Sequence, residues 1–328
     1  MASFSSRVVA QITEERDGLQ KVRFDDGSDG YALVSVCGTL EAGDEVVVNT
    51  TAVDLGLGTG GYHVVHWIAN KRSQPTLRSG EILKARYLSE QIQVDPYIAV
   101  GQDLSGARVL LCVLHSQLGA VAVGLNSENL GYVMTDQAAL PLALSDLLAD
   151  LKRAGVVRLT ATAGQAFGGD LEVINVASGV AALLDHNCNQ IVVAAGPGHV
   201  GTASDLGFSS LELAGHAAIL SALGARVGIC VRASELDSRE RHQGISHHME
   251  SILRATPTEI EVPIPLGTQS DWITALNHRP CPVNPVDVID ALQKSNVAVT
   301  TMGRSLELDA LACSYVGASV SWLLGRDK

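Results

Sequence analysis

The residues best suited to chemistry are concentrated in one stretch of twelve, at positions 237–248, which reads Asp-Ser-Arg-Glu-Arg-His-Gln-Gly-Ile-Ser-His-His. It holds three of the ten histidines and two arginines, namely His242, His247, His248, Arg239 and Arg241. Imidazoles ionise near neutral pH and ligate metals, and guanidinium groups bind phosphate or carboxylate with two donors at once. The stretch therefore predicts a polar site that handles an anion, a metal ion or a proton.

The local sequence also predicts how this stretch is held. Residues 244–246, Gly-Ile-Ser, are typical of a turn into a helix with Ser246 as its N-cap, so that His247 and His248 occupy the first turn. Positive charge there opposes the helix dipole, and we expect neutral imidazoles, the form that ligates metal or accepts a proton. The free N–H groups of the turn attract anions. The alternative is a hydrogen-bonded cluster with a purely structural role.

Two kinds of element must position these side chains. Residues 1–90 contain short β-branched stretches separated by turn signals, which predict a small β-barrel domain. From residue 105 to residue 328, apolar strands alternate with amphipathic helical stretches, which predicts a Rossmann-like, mostly parallel, doubly wound sheet in an α/β fold. The barrel strands are predicted at Ser6–Ile12, Leu19–Phe24, Tyr31–Val36, Glu45–Asn49 and Tyr62–Ile68.

The second domain is predicted in more detail from the same alternation. Its strands are predicted at Arg108–Leu114, Gly119–Val123, Gly131–Met134, Val156–Thr162, Gln190–Ala195, Arg226–Val231, Glu259–Ile264 and Val297–Thr301. Its helices are predicted at Pro141–Ala154, Leu171–Leu184, Ser209–Leu223, His247–Ala255, Pro285–Ser295 and Glu307–Leu323. Open sheets of this kind bind ligands beyond the carboxyl ends of their strands, so the residues just after each strand are the ones to inspect.

Those strand ends carry further candidates. The loop Gly196-Pro-Gly-His-Val-Gly-Thr202 matches a glycine-rich phosphate cradle in which Gly196, Gly198, Gly201 and Thr202 would contact an anion. The residues after it do not open a helix, and the next strand ends at Arg232 rather than at an acid, which disfavours a dinucleotide site. Arg232 and Arg304 would neutralise the anion.

Two acids complete the predicted site. Asp136 and Asp170 follow predicted strands and could act as general bases, and Asp170 could also join the three histidines as a metal ligand. The alternative role for Asp170 is the N-cap of the helix predicted to begin at Leu171. No cofactor is indicated by a motif of its own, and a divalent metal is the candidate that the histidines allow.

Composition restricts the partners. The net charge is −12, and nucleic-acid or anionic-membrane binding would need a basic face, so we expect neither. The six cysteines occur singly without a Cys-x-x-Cys pair, which is typical of a reducing compartment. The start of the chain lacks a long apolar segment, and we expect a cytoplasmic protein. The alanine-rich stretch 306–322 is compatible with a homodimer or with a buried helix.

In combination, these segments resemble a bacterial family, chiefly Gram-positive, known only as a domain of unknown function. The resemblance covers nearly the whole chain and rests on residues 56–67, 135–141, 164–170 with Asn175, 196–202, 239–248 and 301–304. The chain departs from the family pattern at Gln137, where a small residue is expected, and at Gln165, where histidine is expected. The resemblance implies no activity.

The residues themselves favour an enzyme, a hydrolase or group transferase, that acts on a small anionic and phosphorylated metabolite. In this interpretation the histidines, with Asp136 or Asp170, bind metal or move protons while the arginines and glycines hold the anion. Two alternatives remain open at this stage. One is a non-enzymatic sensor of a small molecule or nucleotide, with the barrel passing on occupancy of the site, and the other is an oligomeric scaffold.

Overall fold

The computed structural model describes residues 2–57, 60–71, 80–101, 103–137 and 141–326. The chain divides into two compact units, residues 1–95 and 96–328. Two of the segments that carry the family resemblance fall partly outside the described residues. The segment 56–67 includes residues 58 and 59, and the segment 135–141 includes residues 138–140.

The first unit contains the predicted β-barrel. Five strands close in the order β1-β2-β3-β5-β4 around a core that includes Val22 and Phe24. Only glycine fits at position 30, because a Cβ there would lie 2.5 Å from a carbon of the Phe24 ring. The elements of this unit are β1 (Phe4–Arg16), β2 (Leu19–Phe24), β3 (Asp29–Leu33), α1 (Val34–Cys37), β4 (Glu45–Asn49), α2 (Thr51–Asp54), β5 (His63–Ile68), β6 (Ile82–Lys84) and β7 (Ile92–Val94).

The second unit is built on an eight-stranded sheet in which every neighbouring pair is parallel, which confirms the predicted fold class. Its strands lie in the order β11-β10-β9-β12-β8-β13-β16-β17. Their bounds are β8 (Arg108–Cys112), β9 (Leu130–Thr135), β10 (Leu159–Thr162), β11 (Leu171–Glu172), β12 (Gln190–Ala195), β13 (Arg226–Cys230), β16 (Glu261–Pro265) and β17 (Arg279–Val283). Two short hairpins are β14 (Ala233–Ser234) with β15 (Gly244–Ile245) and β18 (Thr300–Thr301) with β19 (Arg304–Ser305).

Helices cover both faces of this sheet and form two apolar cores. One core takes residues from α5, α6 and α7, and the other takes residues from α3, α4, α9 and α10. The helices are α3 (His115–Leu125), α4 (Asp146–Arg153), α5 (Val176–Asp185), α6 (Leu213–Ala222), α7 (His247–Ala255), α8 (Asp271–Thr274), α9 (Val288–Lys294) and α10 (Ala310–Leu323), with 3-10 turns at Leu142–Leu144, Ser209–Glu212, Glu240–His242 and Leu306–Leu308. No helix among the described residues is both long and apolar enough to cross a bilayer.

Several element predictions were wrong for identifiable reasons. Residues 119–123, predicted as a strand, belong to α3, whose residues are almost all buried, and a short apolar run cannot distinguish a buried strand from a buried helix. The edge strand β17 was missed because it contains two prolines, which sheets accept at edges. Of the strand predicted at 297–301, only residues 300–301 are extended, in a hairpin outside the main sheet.

The helix predicted to begin at Leu171 instead begins at Val176. Asn175 is its N-cap and accepts a hydrogen bond from the backbone N–H of Ser178 at 2.9 Å. Residues 171–172 form β11, the short strand at the sheet edge. The predicted capping role of Asp170 is therefore wrong, since the helix starts six residues later than Asp170.

The amino edge of the sheet is held by a buried carboxylate. Glu261, at the start of β16, is 4% exposed and accepts hydrogen bonds from Arg226 Nε at 2.9 and 3.0 Å. Arg279 and the indole N–H of Trp322 also contact this carboxylate. One side chain thus connects β13, β16, β17 and the C-terminal helix α10, and its charge is fully compensated.

We expect Glu261→Gln to lower the free energy of unfolding by about 2–3 kcal/mol, because the two arginines lose a charged acceptor in a buried network. Urea titration at neutral pH measures this value. The matched control is Glu250→Gln, which removes an exposed ion pair with Arg254 within α7 and should cost about 0.5 kcal/mol or less. Equal losses in the two variants would show that the buried network contributes no more than a surface pair.

Candidate functional site

The carboxyl ends of the central strands β9, β12, β8 and β13 lie side by side at one edge of the second unit. The chain leaves β8 into α3 on one face of the sheet, whereas it leaves β12 and β13 toward α6 and α7 on the other face. Adjacent strands whose connections diverge leave a crevice between them, where open parallel sheets bind their ligands. The candidate site occupies this crevice edge.

The start of α7 presents three imidazoles. Ser246 is the N-cap, as predicted, and its hydroxyl accepts a hydrogen bond from the backbone N–H of His248 at 3.3 Å. The same hydroxyl lies 2.7 Å from Nδ1 of His242, which stands on the preceding 3-10 turn. The cap therefore orders the helix start and orients one of the imidazoles at the same time.

The imidazoles of His242, His247 and His248 contact one another. Their ring centroids are separated by 4.4 to 5.2 Å, and one ring nitrogen from each lies within 4.8 Å of the others. His242 and His248 are buried, and His247 is partly buried with Nδ1 3.6 Å from the carboxylate of Asp205. The structure thus brings together the three histidines that the sequence singled out.

Arg232, at the end of β13, determines the protonation of one of these rings. Its Nη1 lies 3.1 Å from Nδ1 of His248. A guanidinium can only donate, so Nδ1 of His248 must accept, and the neutral ring carries its proton on Nε2. This Nε2, like that of His247, is shielded from solvent and has no hydrogen-bond partner within the described residues. A buried unpaired N–H is costly and would be stabilised by a ligand acceptor.

The glycine-rich loop at residues 196–202 is linked to the histidine cluster through Phe208. The Phe208 ring stacks on His248 with the centroids 3.7 Å apart and the planes 4° from parallel. Gly201 pairs with Phe208 in an antiparallel bridge, and a Cβ on Gly201 would lie 3.3 Å from the Cβ of Phe208. The loop that follows β12 is therefore joined to the histidine cluster by an aromatic contact that the sequence did not indicate.

The electrostatics of the cluster keep two of its imidazoles, those of His242 and His248, neutral. Burial, reinforced by the positive charge of Arg232, lowers the pKa of His248 to about 3 and that of His242 to about 4. Burial and the neighbouring Arg239 lower the pKa of Arg232 to about 10. Hydrogen bonds from Arg239 hold the pKa of the Asp237 carboxyl well below its usual range. The balance of charge around the rings is positive, which suits an anion.

The other predicted arginines surround Arg232 in different ways. Arg239 forms a two-point ion pair with Asp237 at 2.8 and 2.9 Å. Arg241 is exposed, and its charge still lowers the pKa of His248. Arg304 lines a narrow cleft together with Arg232 and Asp237. Of the four predicted arginines, Arg232 contacts the histidine cluster and Arg304 shares a cleft with Arg232. Within the described residues, Arg239 and Arg241 make no such contact and act on the cluster through their charge.

The four residues of the loop at 196–202 that were predicted to contact an anion differ in exposure and in bonding. Gly198 is exposed with φ of +102°, a conformation that favours glycine, and a Cβ there would meet nothing within 4 Å. Gly196 is buried directly after β12, whereas Gly201 is exposed. The hydroxyl of Thr202 bonds within its own turn, to Ser204 and the carbonyl of Gly207, and is not directed at the histidines.

Neither predicted acid joins the histidine cluster. Asp170 accepts hydrogen bonds from the backbone N–H and hydroxyl of Thr160 at 2.8 and 2.7 Å and pairs with Lys152. Asp136 is exposed, packs against Gly164 and accepts a hydrogen bond from the N–H of Gln165 at 3.2 Å. The metal-competent group found within the described residues consists of His242, His247 and His248 without an acid.

Sequence reasoning missed two histidines of this edge, His115 and His199. His115 stands at the start of α3, with Nδ1 3.0 Å from the carbonyl of Ala195 and Nε2 2.7 Å from the hydroxyl of Ser145. His199 lies inside the glycine-rich loop, and burial and the charge of Arg232 lower its pKa to about 4. The position of both directly after predicted strands was the available signal.

Metal binding by the three imidazoles carries a specific requirement. A cation bound to Nε2 of His248 needs the lone pair of that nitrogen, so the proton would have to move to Nδ1. Nδ1 cannot carry a proton while Arg232 donates to it. The cluster could therefore hold a divalent cation on all three rings only after Arg232 moves away from His248.

Comparison with known proteins identifies one family. The profile of a protein family described as "Protein of unknown function (DUF3866)" matches residues 30–320. A search of curated proteins finds no match.

We expect the histidines to make folding pH-dependent. His242 and His248 keep pKa values of about 4 and about 3 in the folded chain, against about 6.5 in an unfolded one. The unfolded state therefore binds more protons below about pH 6.5, and the free energy of unfolding falls as the pH decreases through this window. His248→Gln should reduce the loss between about pH 7 and about pH 5 by about 1–2 kcal/mol, measured by urea titration.

Above about pH 7 the two proteins should show the same pH dependence, because the imidazoles are neutral in both states. Parallel curves down to about pH 5 would contradict the assignment of a neutral buried ring to His248.

We expect Arg232→Met to increase affinity for Zn²⁺ by about tenfold or more, because it frees Nδ1 of His248 to carry the proton. Elemental mass spectrometry of untagged protein, after Zn²⁺ incubation and gel filtration, measures the bound metal. The triple variant that adds His247→Ala and His248→Ala should lose the gain. Stoichiometric metal in wild type as purified, absent from His247→Ala/His248→Ala, would instead establish a native metal centre.

Proposed function

The chain belongs to the DUF3866 family, and we propose that it binds a small anionic, phosphorylated metabolite at the carboxyl edge of the sheet and acts on it by hydrolysis or group transfer. The observation that carries this proposal is the contact between Arg232 and His248 at 3.1 Å within a cluster of three imidazoles. There the buried Nε2–H of His248 lacks an acceptor within the described part of the chain and lies beside a guanidinium, at the start of a helix.

The donors favour an anion as the ligand. His248 offers an Nε2–H that has no partner among the described residues, and this donor lies beside the guanidinium of Arg232. Arg232 carries five N–H donors, of which one on Nη1 contacts His248, while its Nη2 lies 3.8 Å from the carboxylate of Asp237. An anion that accepts from these groups removes the cost of their burial and neutralises the guanidinium, so binding is favourable on both counts.

A phosphoryl group fits this arrangement better than a carboxylate does. Its oxygens point in tetrahedral directions and carry up to two negative charges, whereas a carboxylate is planar and singly charged. Arg232 supplies positive charge beside the imidazoles, and Arg304 lines the same cleft as Arg232 together with the carboxylates of Asp237 and Asp309. The exposed Gly198 and its neighbours let a loop backbone approach a phosphate closely.

The chemistry that suits the site is displacement at phosphorus or a related acyl or phosphoryl centre. An imidazole that is neutral at physiological pH can accept a proton from water or from a substrate, becoming an imidazolium, and can then return that proton to a leaving group. Guanidinium groups stabilise negative charge on a transferring phosphoryl group. Hydride transfer is less compatible, since Arg232 follows the strand after the glycine-rich loop, where a dinucleotide site would place an acid.

The test uses inorganic phosphate and p-nitrophenyl phosphate as defined probes, followed by a panel of sugar phosphates and nucleotides. We expect phosphate to raise the melting temperature of wild type and Arg232→Met to weaken phosphate binding about 10- to 100-fold. Arg254→Met, on the exposed side of α7, is the matched control and should bind as wild type does. Release of phosphate from a panel member is measured colorimetrically.

The outcomes separate the interpretations. Phosphate release that Arg232→Met abolishes supports the enzyme. A thermal shift with no product from any panel member would favour a sensor. No shift with any phosphorylated compound, combined with a change of oligomer mass in the His247→Ala variant, would favour a scaffold and contradict the proposal.

A further inference from the structure

The three imidazoles of the histidine cluster differ in the group that lies beside their Nδ1 atoms. Nδ1 of His242 lies 2.7 Å from the N-cap hydroxyl of α7, which can accept as well as donate a hydrogen bond. Nδ1 of His247 lies 3.6 Å from the carboxylate of Asp205, which only accepts. Nδ1 of His248 lies 3.1 Å from the guanidinium of Arg232, which only donates. A proton on Nδ1 is therefore compatible with the surroundings of the first two rings and not with those of His248.

Metal ligation by these rings depends on that difference. A ligating imidazole gives the lone pair of one nitrogen to the cation and donates its other N–H to an acceptor nearby. His242 and His247 can ligate through Nε2, because an acceptor lies beside Nδ1 of each ring. His248 cannot, because Arg232 confines its proton to Nε2. A cation on Nδ1 of His248 would have to displace the guanidinium, so Arg232 blocks the third ligand on either nitrogen.

Charge is a second obstacle to a cation that binds alone. The metal-competent group found within the described residues has three imidazoles and no carboxylate. The carboxylate of Asp237 lies 3.8 Å from Arg232, but it already receives two hydrogen bonds from Arg239. His248 and Arg232 are 7% and 9% exposed, and an uncompensated divalent charge is costly at such a depth.

An anion removes both obstacles. Phosphate that accepts from Arg232 offers the guanidinium a charged partner in place of a neutral imidazole, and this leaves Nδ1 of His248 free to carry the proton. The negative charge of the phosphate also compensates the cation. We propose that the cluster is a zinc site made available by phosphate, with His242, His247 and His248 as ligands and a phosphoryl oxygen in the fourth position. This inference rests on the proposed function and adds a metal ion to it.

The donor set determines the choice of cation. Three imidazole nitrogens with one open position match catalytic zinc sites, in which water or substrate takes the fourth place. Mg²⁺ and Ca²⁺ prefer oxygen ligands, and the cluster supplies three nitrogens. We therefore expect Zn²⁺ to bind to this site in preference to Mg²⁺ and Ca²⁺.

The proton of His248 is accounted for in this change. Its Nε2 proton passes to water as that nitrogen takes the cation, and Nδ1 takes a proton from water once Arg232 bonds the phosphate. The ring stays neutral, and the exchange at His248 releases no net proton. The phosphoryl oxygen that accepted from the Nε2–H in the metal-free complex bonds the cation in its place.

The two ligands must then raise each other's affinity by the same factor, because their binding free energies are linked. We expect saturating inorganic phosphate to lower the Kd of the wild type for Zn²⁺ by about tenfold or more. Titration of the untagged full chain against a chromophoric chelator measures this Kd, with free Zn²⁺ kept below the solubility limit of zinc phosphate. Calorimetric titration with phosphate, with and without Zn²⁺, measures the reciprocal effect.

Substitution of Arg232 tests its blocking role. Arg232→Met cannot donate to Nδ1 of His248, so it should bind Zn²⁺ more tightly than the wild type without phosphate, and phosphate should increase this affinity less. The matched control is Arg254→Met, which removes an exposed ion pair with Glu250 and should keep the wild-type coupling. His247→Ala/His248→Ala should bind Zn²⁺ weakly with or without phosphate.

The two proposals fail in different ways. A wild type that binds phosphate by itself but has the same Kd for Zn²⁺ with and without it would overturn the coupling and leave the proposed function standing. Undiminished coupling in Arg232→Met would overturn the role of the arginine. A wild type that binds no phosphate at all would contradict the proposed function, and the Zn²⁺ affinity of Arg232→Met would still decide whether Arg232 blocks the metal.

Discussion

The parallel direction of the strands is the constraint on which the second unit depends. Each connection must leave a strand at the carboxyl edge and return to the amino edge, so the loops that follow β8, β9, β12 and β13 gather on one side. The order in which the strands lie, with β12 and β13 on either side of β8, then brings together loops that are far apart in the chain. Arg232 and the loop after β12 meet the start of α7 for this reason, Arg232 by a direct contact with His248 and the loop through Phe208.

The two edges of the sheet differ in how completely their polar groups are paired. At the amino edge, Glu261 is surrounded by two arginines and an indole N–H, and the buried charge is compensated. At the carboxyl edge, ring nitrogens of His199, His247 and His248 remain without partners within the described residues. Buried polar groups are normally satisfied. The first edge therefore stabilises the fold, and the second carries the unpaired ring nitrogens on which the proposed ligand site rests.

The guanidinium of Arg232 influences the protonation of several imidazoles at the carboxyl edge. Arg232 determines the tautomer of His248 through a direct hydrogen bond, and its charge helps to keep His199, His242 and His248 neutral. Asp237 lies 3.8 Å from Arg232 and also binds Arg239 with two hydrogen bonds, so its charge is shared between the two arginines. Positive charge is left over around the imidazoles, and the proposal of an anionic ligand rests on this excess.

Local pattern by itself determined the barrel strands, the alternation of strands and helices, the start of α7 behind Ser246 and the clustering of His242, His247 and His248, because these depend on residues close in sequence. Tertiary structure decided the rest. The run 119–123 belongs to a helix that is buried on nearly all sides. Such a run has no periodic hydrophobic pattern, so the sequence alone could not distinguish a helix from a strand there. Thr160 and Lys152 hold Asp170 away from the histidine cluster, and His248 acquires its tautomer from Arg232, 16 positions earlier in the chain. Such partners meet only when the sheet is assembled, and protonation depends on them rather than on residue type.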